Sequence, residues 1–235
     1  LMPDLAIESV RTCLLAVDAE RARRAADPVH AAVVHALKRY QQARFARSYE
    51  DLLASARYRN AATFFLDDLY GPRDFAERDA QFARVAPKVL RLFPEALAPV
   101  VTQLAELHAL SEHFDGCMAD ELRTPALTPA LYVQAWRAVG DPDNRSRQLA
   151  LVQAIGHALD RLADRAWLLG TLRMMRRPAQ AAGLGQLQAF LETGLDALRS
   201  MRGAADFLAQ VQQRERRLLD ALFDGAQPPA DLPSD

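Results

Sequence analysis

Along most of this chain apolar residues recur at alternating spacings of three and four, the period of a helix with one buried face. Over 95–122 the series Val100, Leu104, Leu107, Phe114, Met118 and Leu122 traces one such stripe. Phe75, Phe82, Ala86 and Val89 trace another over 73–92, and Phe64, Phe65 and Leu69, with Tyr58 a turn earlier, give 59–70 an aromatic face. The two-residue alternation of a half-buried strand is missing, and Ile occurs only at 7 and 155, so β-branched enrichment is missing too.

Breakers and caps cut the pattern into segments. Asp27-Pro28 and Thr128-Pro129 place a capping oxygen before a first-turn proline, and Ser48-Tyr49-Glu50-Asp51 resembles a capping box. Tyr70-Gly71-Pro72, Gly140-Asp141-Pro142 and Arg177-Pro178 read as stops. The predicted helices are 4–25, 28–46, 49–56, 59–70, 73–92, 95–122, 129–139, 144–165, 166–176, 183–200 and 204–223. The expectation is an all-α, single-domain multi-helix bundle of about ten helices over residues 1–224. Residues 225–235, rich in proline and small or acidic residues, read as a disordered tail that can be removed without loss. No repeat of 20 to 50 residues recurs, which disfavours a solenoid.

Composition agrees and narrows the function. Half of the 235 residues are apolar and a quarter charged, enough for one substantial core. A net charge of −1 argues against a nucleic-acid partner. Cys13 and Cys117 form no paired motif, the N-terminus does not resemble a signal peptide, and no window is apolar enough to span a membrane. A cytoplasmic protein is expected. Lys38 and Lys88 are the only lysines among 29 basic residues, a bias attributed to a GC-rich coding sequence.

Polar residues inside the apolar stripes are the candidate chemistry, because a buried charge needs a partner or a shifted pKa. Asp79 falls within the 73–92 stripe beside Arg78; Arg57, Arg84 or an arginine of another helix is the expected partner. His108, Glu112 and Asp115 share one margin of the 95–122 stripe, whereas Glu106 and His113 fall on the opposite, solvated face. At i,i+4, His108 and Glu112 can interact directly. The candidate polar cluster is therefore Arg57, Asp79, Arg84, His108, Glu112 and Asp115. Glu215 lies in the apolar face of the last helix and is expected to pair with an arginine or meet a subunit interface. Tyr132, Trp136 and Arg137 are candidate interface anchors, since Trp, Tyr and Arg dominate interface energetics. Gly156 and Gly194 read as points of close helix approach.

Familiar sites are missing. No Glu is followed three residues later by His, which removes the di-metal carboxylate bundle, and no H-E-x-x-H, G-x-S-x-G, P-loop or dinucleotide fingerprint occurs. No metal site is predicted.

The run Phe64-Phe65-Leu66-Asp67-Asp68-Leu69-Tyr70-Gly71-Pro72-Arg73-Asp74-Phe75, with Arg78-Asp79-Ala80-Gln81-Phe82-Ala83-Arg84-Val85, Leu107-His108-Ala109-Leu110-Ser111-Glu112 and Ala135-Trp136-Arg137-Ala138-Val139-Gly140, resembles a family of uncharacterised bacterial proteins. The resemblance implies an all-helical bacterial protein and carries no activity with it. A fainter likeness to globin helices would put His108 in the place of a proximal haem ligand.

Three functions compete. The leading one is a non-catalytic module that binds a protein partner or forms a homodimer, with no cofactor, nucleic acid or membrane. The second is a ligand- or haem-binding bundle using His108. The third is a hydrolase- or lyase-type enzyme in which His108 works with Glu112 or Asp79 as an acid/base pair.

Overall fold

The computed structural model describes residues 2–69, 75–92, 94–163 and 165–234. Among them are twelve α-helices and no strand. The chain is all-α, as the periodicity predicts. In order they are α1 (Met2–Ala26), α2 (Pro28–Ser48), α3 (Glu50–Ala54), α4 (Arg59–Phe64), α5 (Ala76–Leu92), α6 (Pro94–Leu122), α7 (Pro129–Val139), α8 (Pro142–Ala163), α9 (Ala166–Met174), α10 (Arg176–Ala181), α11 (Gly185–Ser200) and α12 (Ala205–Asp224).

Local chemistry sets several boundaries. Asp27 accepts from the amides of Val29 and His30 at the start of α2, and Thr128 accepts from Leu131 at the start of α7. Gly140 ends α7 with φ 66°, where a side chain would be strained. Asp141 then accepts from the Asn144 amide and opens α8. The Ser48 capping box does not form: Ser48 is the last residue of α2, its hydroxyl contacts the Asp231 carboxylate at 2.9 Å, and α3 begins after Tyr49 without a side-chain cap. Pro178 starts no break. It sits in the first turn of α10, where the amide it lacks has no intrahelical acceptor. The aromatic segment after α4 passes into a π-helical turn, Phe65–Leu69, and the expected stop at Tyr70-Gly71-Pro72 lies outside the described residues.

The 29-residue α6 is the spine, about 43 Å long at the usual rise. Helices α1, α2, α5, α7 and α8 pack around it, α12 lies against α7 and α8, and α11 bridges α4, α5, α8 and α9. One apolar cluster joins Val34 and Leu37 of α2, Met118 and Leu122 of α6, Val133 of α7 and Leu222 of α12. A second joins Phe45, Tyr49, Ala62 and Phe207, and a third joins Val10 of α1 with Leu90 of α5 and Val101 of α6. Both predicted close approaches occur. A methyl on Gly156 would lie 2.4 Å from Leu208, and one on Gly194 would lie 2.8 Å from the Phe64 ring.

The segment after Gly225 is not a loose tail. Leu232 is 2% exposed inside the first apolar cluster, the Tyr40 hydroxyl donates to Pro233 O at 3.1 Å, and Arg47 donates to Ala230 O. A single leucine among prolines has no periodicity to reveal it, yet its burial holds the segment down.

Candidate functional site

The spine carries its polar residues on the margin turned toward α1, α2 and α5, so these three helices converge on it with their own charges. Asp79, 7% exposed, is held from three sides. Arg21 of α1 donates to Oδ2 at 2.5 Å, Arg78 donates to Oδ1 at 2.9 Å, and His108 Nε2 lies 3.0 Å from Oδ2 in a contact too bent for a full hydrogen bond. Burial alone would push the Asp79 carboxyl up; His108, Arg78 and Arg21 outweigh it and hold the group well below the usual carboxylate range.

One turn further along α6, Glu112 accepts from Lys38 Nζ of α2 at 2.6 Å and pairs with Arg24 of α1 at 2.6 Å. Burial again works against ionisation, and Lys38 with Arg24 and His108 prevails, so this carboxyl is also lowered. Asp115 is different. Gln41 donates to it at 3.2 Å and Lys38 stands at 3.6 Å, but burial and the neighbouring Glu112 charge leave its carboxyl raised. Four basic side chains, Arg21, Arg24, Arg78 and Lys38, thus face three buried carboxyl groups across four helices.

The structure brings together Asp79, His108, Glu112 and Asp115, with Asp79 rather than Glu112 in contact with His108. It does not bring in Arg57 or Arg84. Arg57 donates to Met201 O at 2.7 Å and lies over the Tyr58 ring, and Arg84 donates to Ala182 O and Gly183 O. Both arginines cap carbonyls of other segments, a use that a helical wheel cannot distinguish from an ion pair. His113 is more than half exposed, with Glu20 3.8 Å away, as its place opposite the cluster predicts. Glu106 pairs with Arg147 of α8 at 2.8 Å.

Of the residues expected at an interface, Tyr132 is buried, Trp136 and Glu215 are half-buried, and Arg137 is exposed. Tyr132 is buried between Tyr40 and Trp136, at ring distances of 5.0 and 5.9 Å. Trp136 lies over the guanidinium of Arg145, which is sandwiched at 3.7 Å from both Trp136 and Phe114. Arg137 donates to Leu222 O and Gly225 O and closes the end of α12. Glu215 finds an arginine, as expected: Arg44 at 2.5 Å, with the Tyr49 hydroxyl at 2.7 Å.

Sequence reasoning missed Arg21, Arg24, Lys38, Gln41 and Arg145. Lys38 had a signal, as one of two lysines in an arginine-rich chain, next to the buried Leu37 of α2. Arg145 is the more unusual group. It is buried, its Nε and Nη2 have no hydrogen-bond partner, and burial lowers its pKa to about 10. Its aromatic sandwich supplies the main compensation.

Among the described residues no group of three or more His, Cys, Asp and Glu side chains is arranged to hold a metal ion, and no helix is long and apolar enough to cross a membrane. The Nε2 atom that a proximal haem ligand would offer faces Asp79. Residues 20–229 match the model of a domain of unknown function, DUF8198, and the chain belongs to that family. No curated protein and no solved structure matches it.

Proposed function

We propose that this protein is a non-catalytic helical interaction module, acting on a protein partner or on a second copy of itself, and that the buried charge network is a clamp holding α1, α2 and α5 on the spine. One observation carries the reading: both oxygens of Asp79 and both of Glu112 already lie against cationic or imidazole groups of the same chain. A general acid or base must reach a substrate proton and titrate near the working pH. Carboxyls closed by cations and held low do neither. The partly buried thiols of Cys13 and Cys117, both free, support placing the chain in a reducing bacterial cytoplasm.

The test is to titrate the purified chain with hemin and with zinc, following absorbance and thermal unfolding. The reading expects no specific spectrum and no rise in melting temperature. A rise seen in the parent and lost in His108→Ala would replace it with the ligand-binding alternative.

A further inference from the structure

Outside the charge clamp, the outer side of α1 carries an unpartnered feature. Arg11, Leu14, Leu15 and Asp18 stand at i, i+3, i+4 and i+7, so they form one continuous stripe along the helix. Leu15 is 59% exposed. Leu15, with Arg11 and Asp18, forms the rim of an apolar groove of about 190 Å³ between α1 and α5, whose floor is made by Ile7, Val10, Leu14, Ala83, Pro87 and Leu90. The stripe presents a knob and the groove a hole, with a positive charge at one end and a negative charge at the other. Both charges are available: Arg11 reaches Glu8, and Asp18 reaches Arg21, only at 3.9 Å, with the Arg11 and Asp18 side chains each 71% exposed.

We infer that this face binds a second copy of the chain through a two-fold axis passing between Leu14 and Leu15, with the two α1 helices antiparallel. In that arrangement Arg11 faces Asp18 of the second copy, Leu14 faces Leu15 of the second copy, and each Leu15 enters the other's groove. Every favourable contact occurs twice, as a self-complementary two-fold interface requires. A parallel pairing would set Arg11 against Arg11 and Asp18 against Asp18, so the charge order itself selects the antiparallel one. The α1 residues of this face, 7–18, precede the part of the chain that matches the family model, whereas the groove residues Ala83, Pro87 and Leu90 lie within it. The inference rests on the interaction-module reading and specifies its partner.

The test is the mass of the full chain in solution, by light scattering and sedimentation velocity, from about 1 to 100 µM. The parent is expected at twice the 26.1 kDa chain mass in the upper part of that range. Arg11→Asp and Asp18→Arg alone should each raise the dimer dissociation constant at least ~tenfold, because each puts like charges together twice. The double variant Arg11→Asp/Asp18→Arg should restore the parent value. Leu15→Asp should give a monomer with unchanged circular dichroism, since the side chain is exposed. A parent that stays monomeric throughout, single variants that dimerise like the parent, or a double variant that fails to recover would each overturn the inference. Hemin or zinc uptake at His108 would overturn the function proposed above without altering any of these masses.

Discussion

Asp79 of α5 and His108 of α6 meet 3.0 Å apart, the same Asp79 oxygen also receiving Arg21 of α1. One buried carboxylate therefore joins three helices that are distant in sequence. Removing it leaves two guanidinium groups and an imidazole without their counter-charge in a largely desolvated place. Asp79→Ala should cost about 3 kcal/mol, the lower end for breaking a buried pair because Arg21 and His108 are each about a quarter exposed. Thermal unfolding should fall by roughly 6–12 °C for a chain of this size. A shift within a degree or two would show that the contact stabilises nothing.

The carboxylates of the clamp should respond to pH in opposite senses. Asp79 and Glu112 are lowered in the fold, so the stability they contribute is complete above the ordinary carboxylate pKa of about 4 and is lost as pH falls below it. Asp115 is raised, so its contribution is present at low pH and is lost as pH rises from about 4 through its folded value. Urea unfolding between about pH 3 and 7 should accordingly show a shallower acid loss for Asp79→Asn than for the parent. Asp115→Asn should keep or gain stability at neutral pH. Equal behaviour of the two variants would contradict the assignment.

Arg145 offers a contrast between packing and charge. Its guanidinium lies between Phe114 and Trp136 with two nitrogens unpartnered, so an apolar side chain of similar length loses little and removes a desolvated charge. Arg145→Met should melt at or above the parent temperature. Arg145→Ala should cost about 2–4 kcal/mol through the void between the rings. If both variants fall equally, the charge and not the packing is what that site requires.

The end of the chain should matter more than its composition suggests. Leu232 fills a place beside Leu222 and Tyr40, and Leu232→Ala should cost about 2–3 kcal/mol. Truncation after Gly225 should cost at least as much. An unchanged urea midpoint for the truncated chain would mean that the segment adds nothing to the core.

What the sequence makes legible here follows the range of the interaction. Helix α7 matches its predicted span of 129–139, because Thr128, Pro129 and Gly140 act on their own neighbours. The phase of α6 is legible too: the stripe puts Glu112 and Asp115 inside and His113 outside. The helix opposite is not legible. A helical wheel gives the direction of Asp79 and its need for an arginine, which an arginine of another helix meets as expected, but not that this is Arg21, 58 positions earlier, and neither Arg57 nor Arg84. Nor does it show that Trp136 of α7 stacks on the guanidinium of Arg145 of α8. Leu232 was hidden because one buried side chain makes no period.

The most direct test of the clamp is a double-mutant cycle between Arg21 and Asp79, measured by urea unfolding of the parent, Arg21→Gln, Asp79→Asn and the double variant. The account predicts that both single changes destabilise and that the pair is coupled by about 1–3 kcal/mol, the double variant losing less than the two singles combined. Additive losses, or single variants as stable as the parent, would mean that this contact does not hold α1 on the rest of the bundle and would contradict the clamp.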